Sequence, residues 1–148
     1  MKNSFWVFVI LGAIGLASCQ STSKFGSIDQ SDRSITMPPG SAMLLGPLKQ
    51  KFSEAGWRMS VDRGPDMIQG SIGEKTALAS GATFLTRYRL LIKQRQYDIC
   101  IVPIGGPAVD YDLSVIDNRT GEEIITQNGS SCMLDGVAQE FVAKLGAR

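Results

Sequence analysis

The chain has 148 residues, with 15 basic and 14 acidic side chains, 43% hydrophobic residues and no histidine. A formal charge of +1 falls far short of the strong basic surplus of a general nucleic-acid binder. Without histidine, a single chain cannot build a Ser-His-Asp or Cys-His site, and it lacks the commonest general base and metal ligand.

Lys2 supplies a positive n-region, and Phe5 to Leu16 form an apolar run of twelve residues followed by small residues. This is the grammar of an export signal over residues 1–18. The run is too short to cross a bilayer core, which takes about 20 helical residues. It ends in Leu16-Ala17-Ser18-Cys19, which resembles the lipobox of bacterial lipoproteins. The resemblance covers only the first nineteen residues. It implies diacylglyceryl attachment to the Cys19 sulfur, cleavage before that residue, and acylation of the new amino terminus with a fatty acid such as palmitate. Gln20 follows the cysteine. In lipoproteins of the enteric type an Asp there retains the protein in the inner membrane, so Gln20 implies an outer-membrane lipoprotein facing the periplasm, given a Gram-negative source. Loss of the signal leaves 130 residues, formally neutral because Lys2 departs with it. That is enough for one domain and a linker.

Residues 20–34 are rich in Ser, Gln and Asp, with Phe25 and Ile28 as the sizeable apolar groups. They show neither helical nor strand periodicity. With Cys19 they read as a mobile tether over 19–34, with a reach on the order of 20 Å as a flexible coil. The folded domain is expected over 35–148. It opens with a short extended run, Ile35 to Met37, stopped by Pro38-Pro39-Gly40. Leu45, Leu48, Phe52 and Ala55 then recur at helical spacing, with Gly56 placed as a left-handed C-terminal cap. Trp57, Met59 and Val61 alternate with Arg58, Ser60 and Asp62, the pattern of a half-buried strand. Ile68, Gly70 and Ile72 suggest another short one.

Residues 83–102 fit two periods. Phe84, Leu85, Tyr88, Leu91 and Ile92 make a helical stripe, whereas Tyr88, Leu90 and Ile92 alternate with Arg87, Arg89, Lys93 and Arg95 at strand period. Strand is preferred, because the sorting of charge is cleaner and the run continues into the β-formers Tyr97, Ile99 and Ile101. Beyond Gly105-Gly106-Pro107, Tyr111, Leu113 and Val115 alternate with Asp110, Asp112 and Ser114. The turn Asp117-Asn118-Arg119-Thr120-Gly121 leads into a returning arm from Glu122 to Thr126, ended by Asn128-Gly129. Leu134, Val137, Phe141 and Leu145 close the chain as a second amphipathic helix, with Asp135 as candidate N-cap. The order of elements gives an α+β fold, a two-layer sandwich of a mostly antiparallel sheet with two helices packed on one face.

Three cysteines are present. With Cys19 lipidated, Cys100 and Cys132 remain in an exported chain, which favours one disulfide over two buried thiols or one reactive thiol. Two cysteines without histidine do not make a structural zinc site. Cys100 is placed on a central strand and Cys132 just before the last helix, so that the bridge pins helix to sheet.

Chemistry-bearing patterns are sparse. Asp110/Asp112 and Glu122/Glu123 are the available carboxylate pairs, and they read as solvated sheet charges. Gly105-Gly106-Pro107 lacks phosphate-loop spacing. No catalytic residue, metal ligand or cofactor site is assigned. Arg87, Arg89, Lys93 and Arg95 form a basic ridge along one strand face. The ridge is a candidate binding surface, or it is neutralised across the sheet by Asp110 and Asp112. The function expected is a non-enzymatic interaction or accessory module held to the envelope by Cys19, with an envelope protein or the cell wall as partner. The alternative is a lipoprotein binding a small ligand or cell-wall polymer, although Trp57, the domain's one tryptophan, reads as core.

Overall fold

A computed structural model describes residues 20–62, 66–72, 75–81, 86–101 and 105–146, with backbone alone for 66–72 and 75–81. The signal segment and Cys19 lie outside these residues, as do 83–85 and Val102 within the two-period stretch.

The elements run β1 (Gln20–Lys24), β2 (Ser34–Met37), α1 (Leu45–Glu54), β3 (Arg58–Val61), β4 (Asp66–Ile72), β5 (Lys75–Gly81), β6 (Tyr88–Ile99), β7 (Pro107–Asp117), β8 (Glu123–Ser131) and α2 (Leu134–Gly146). Six strands form one mixed sheet in the order β1-β8-β7-β6-β2-β3, and β4 and β5 pair antiparallel in a separate two-stranded sheet. In the large sheet β1, β8, β7 and β6 are antiparallel neighbours, while β2 runs parallel to both β6 and β3. The fold is thus the expected α+β sandwich.

The core lies between one sheet face and the two helices, which also contact each other. Tyr88 and Leu90 of β6, Tyr111, Leu113 and Val115 of β7, and Ile125 of β8 point into it, with Ile35 and Met37 from β2. From above come Leu45, Leu48 and Phe52 of α1 and Val137, Ala138, Phe141 and Leu145 of α2. The period-two and period-3.6 patterns read from the sequence are therefore the buried faces of these elements.

The end of α1 shows how local sequence fixes the geometry. Gly56 takes φ +76°, where a Cβ would be strained. Its N–H donates to Ser53 O at 2.9 Å, and the Trp57 N–H donates to Phe52 O at 3.0 Å, the two bonds of a Schellman motif. The hydrophobic contact that accompanies such a cap is present too, with the Phe52 and Trp57 rings edge-to-face at 5.2 Å.

Several expectations are corrected. Residues 20–34 are not a coil: Gln20–Lys24 is an edge strand, Ile28 joins the core, and Ser34 begins β2. Met59 and Val61 are exposed, because β3 is the other edge of the sheet; only Trp57, just before it, is buried. Strand is the right reading of 88–99, but β6 stops at Ile99, so Cys100 and Ile101 lie beyond its end. Asn128-Gly129 lies inside β8, where Gly129 pairs with both Gln20 and Tyr111. Asp135 sits within the first turn of α2, where its charge suits the helix dipole, not at the cap.

Candidate functional site

Gln20, the residue after Cys19, is held from three sides. Its amide Nε2 donates to both carboxylate oxygens of Glu140 on α2, at 2.8 and 2.7 Å. Its Oε1 accepts from the Tyr111 hydroxyl at 3.2 Å and from Gln127 Nε2 at 3.5 Å. Lys144, one helical turn beyond Glu140, pairs with that carboxylate and donates to Thr22 Oγ1 at 2.8 Å and to Gln127 Oε1 at 3.4 Å. Lys144 first, then Gln20, holds the Glu140 carboxyl below its usual range. Gln127 is fully buried, so its amide depends on these partners. A strand without a single large apolar side chain is thereby stitched between β8 and α2 by polar contacts. Glu140 and Lys144 stand at i,i+4 spacing, where a helix brings opposite charges together. The contacts to Gln20 and Thr22 were not legible in the sequence, because they join opposite ends of the chain.

The disulfide is present, joining Cys100, just after β6, to Cys132, just before α2, with a Cα–Cα distance of 5.9 Å. The Cys100 N–H donates to Gly106 O at 2.7 Å and the Gly105 N–H to Cys100 O at 3.2 Å, so Gly105 and Gly106 lead into β7, which Pro107 begins.

The four residues of the basic ridge do not act as one set. Arg87 precedes β6 and is drawn into an ion cluster: its Nε donates to Asp117 at 3.0 Å and an η-nitrogen to Asp29 at 2.9 Å. Its side chain is only 18% exposed. Asp117 is buried and also accepts from the Arg119 N–H at 2.9 Å, while the buried Tyr88 hydroxyl accepts from the Asp29 N–H at 2.7 Å. Chiefly through the Asp117 hydrogen bond, this cluster raises the Arg87 pKa. Arg87 is thus a structural tie between the 29–34 segment and β7.

Arg89, Lys93 and Arg95 alternate with the core residues of β6 and so share the sheet face away from the helices. Asp110 and Asp112 occupy that face of β7, in register with Arg95 and Lys93. Arg95 bonds Asp110 at 3.1 Å, and Ser130 of β8 donates to the same carboxylate at 2.6 Å. Ser130 first and Arg95 second hold the Asp110 carboxyl below its usual range, suiting a permanently charged partner and not a proton donor. The face is therefore a checkerboard of both signs, with Leu91 exposed among them. Glu122 and Glu123 are exposed at the β7–β8 turn, at the other end of β7 from Asp110. An open depression of about 500 Å³ is lined by Lys24, Ser27, Ile28, Asp29, Gln30 and Leu145, among others, and carries no aromatic platform. Among the described residues, no group of acidic or cysteine side chains is arranged to hold a metal ion.

No protein-family model matches the sequence, and neither does any curated protein. Among solved structures, the fold is similar to that of a PelC dodecamer from Paraburkholderia phytofirmans, with a TM-score of 0.50 at 12% identity over 85% of this chain and 94% of that one. A point variant of the same dodecamer aligns with a TM-score of 0.46 at 13% identity, over 85% and 92%. At such identity the likeness is one of fold.

Proposed function

We propose that this chain is a lipid-anchored lipoprotein of the cell envelope, an outer-membrane one if the source is Gram-negative, and that it works as a non-enzymatic interaction module in the periplasm. The observation that carries the proposal is the two-sidedness of the sheet. Both helices cover one face, and the other presents Arg89, Leu91, Lys93, Arg95 and Asp112 in a fixed register. Mixed charge on a rigid surface favours selection of a macromolecular partner by complementarity. Support for the anchor comes from the Leu16-Ala17-Ser18-Cys19 motif. The disulfide fits an oxidising compartment. The partner is an envelope protein or the cell wall, contacted over this face.

Two measurements test the proposal. Cys19→Ala is expected to abolish lipid labelling and to leave an unprocessed precursor; normal maturation and membrane association of that variant would sink the anchor. A photo-crosslinking residue at Leu91 is expected to capture an envelope component in cells, and Lys93→Glu with Arg95→Glu to lose it while the melting temperature holds. Capture that persists in the charge-reversed variant refutes selection by these charges, and no capture from Leu91 refutes the assignment of this face.

A further inference from the structure

The strand register gives the anchored end of the molecule a definite place. Gln20 pairs with Gly129, Gly129 with Tyr111, and Tyr111 with Gln94, so these residues form one row across the sheet. β1 runs antiparallel to β8, so its amino-terminal end is directed toward the end of the sheet where β6 and β8 both terminate. Residue 19 is one peptide away, with its Cα about 3.8 Å from that of Gln20. Any group on Cys19 is thus tied to this pole of the domain without a linker.

The same pole is apolar. Tyr97 and Ile99 lie three and five residues beyond Gln94 on β6, about 10 and 17 Å at strand rise. Ile101 follows Cys100, and Met133 follows Cys132. Their exposures are 53% for Tyr97, 63% for Ile99, 86% for Ile101 and 70% for Met133. The disulfide holds the two segments together, so Ile99 and Ile101 on one side and Met133 on the other are locked as neighbours. Among the described residues, the remaining large exposed apolar groups, Phe25, Met59, Val61 and Leu91, do not lie beyond this row. The opposite pole, about 20 Å from the Gln20 row along β7, holds the polar turn 118–122 and the ion pair of Arg119 with Asp32.

We propose that Tyr97, Ile99, Ile101 and Met133 seat this pole in the bilayer that carries the Cys19 anchor. The inference rests on the lipoprotein reading and goes beyond it, since it assigns the domain an orientation and a second contact with lipid. Exposed branched and aromatic side chains beside an acyl attachment point bury their surface in the interfacial layer, where tyrosine is also at home. Asp98, Asp110 and Asp135 offset Lys93 and Arg95 near this end, so the contact is apolar in origin and does not need anionic lipid.

The test uses the whole mature chain, purified from membranes and reconstituted into phosphatidylcholine vesicles with or without brominated acyl chains. Trp57 is buried against Phe52 and Tyr88 and supplies the unquenched baseline. The Ile101→Trp and Met133→Trp variants are each expected to lose most of their added fluorescence to brominated lipid, and the Glu122→Trp variant at the far turn to keep it. Intact mass of the same samples reads the anchor independently. A lipidated chain whose Ile101→Trp and Met133→Trp signals match that of Glu122→Trp overturns the seating and leaves the anchor standing; a protein partner covering the pole would give that result. A chain without lipid that still shows selective quenching removes the anchor reading but upholds the pole as a membrane contact. A chain with neither removes both.

Discussion

Breaking the Cys100–Cys132 bridge is the perturbation whose size is best defined by the structure. The two residues are 32 positions apart. Closing a loop of that length removes enough freedom from the unfolded chain to stabilise the folded one by about 3–4 kcal/mol. For a domain of this size each kcal/mol moves the melting temperature by about 3–4 °C, so reduction is expected to lower it by about 10–15 °C. The assay is scanning calorimetry of the purified chain with and without reductant, run beside the Cys100→Ala/Cys132→Ala double variant. The variant adds a small cavity term, because Cys100 is buried among its neighbours. It is therefore expected to melt slightly below the reduced protein. A reduced protein melting within about 3 °C of the oxidised one would refute the loop argument. It would mean that the reduced unfolded chain already keeps the two ends of this loop close together without the bond.

Gly46→Ala is expected to destabilise despite alanine's better helix propensity, because the new Cβ would stand 2.8 Å from the Ser41 backbone oxygen; a loss of about 1–3 kcal/mol in urea titration is expected, and a gain would refute it. Arg87→Ser is expected to lower the melting temperature clearly more than Arg95→Ser, since it strands the buried Asp117 carboxylate, whereas the Arg95 side chain is 78% exposed. Equal effects would return Arg87 to the ridge. The carboxyls of Asp29, Asp110 and Glu140 are held low by Ser31, Ser130 and Lys144 as the leading partners. The unfolded chain therefore takes up protons first: stability is full above about pH 5 and falls as pH drops through the native carboxylate range. Burial raises Tyr88 and Tyr111, whose contribution is full below about pH 10 and is lost as pH rises beyond it. With no histidine, stability between these limits is expected to be flat, and a midpoint near pH 6–7 in a melting-temperature series would contradict this account.

Much of the fold was legible where local pattern and tertiary burial agree. In α1 the apolar spacing, the glycine cap and the Phe52–Trp57 contact all lie within a few residues of one another, and β7 alternates cleanly because one of its faces meets both helices. Where the deciding contact is distant, the sequence was silent. Gln20, Ser21, Thr22 and Ser23 look like coil because their strand has no apolar face of its own; it exists through β8 and through Glu140 and Lys144 on α2. Tyr97, Ile99 and Ile101 carry strand-forming side chains, but these lie beyond the reach of the helices and stay exposed. The basic ridge was visible as a set of residue types, yet its division between an enclosed Arg87 and an open Arg95 depends on Asp29 and Asp117, which approach from other segments.

The polar lock around Gln20 also sets an order in time. Gln20 and its partner Glu140 are 120 positions apart, so Gln20 meets this partner only when the last helix has docked. Contacts of such range form late, because most of the chain must be gathered before they are rewarded. Until then Gln20 and Thr22 lack the α2 side chains that hold them. Once α2 docks, Lys144 and Glu140 close over them and the same backbone becomes a sheet edge. Closing the β1 edge of the sheet and docking the last helix are, in this protein, one event.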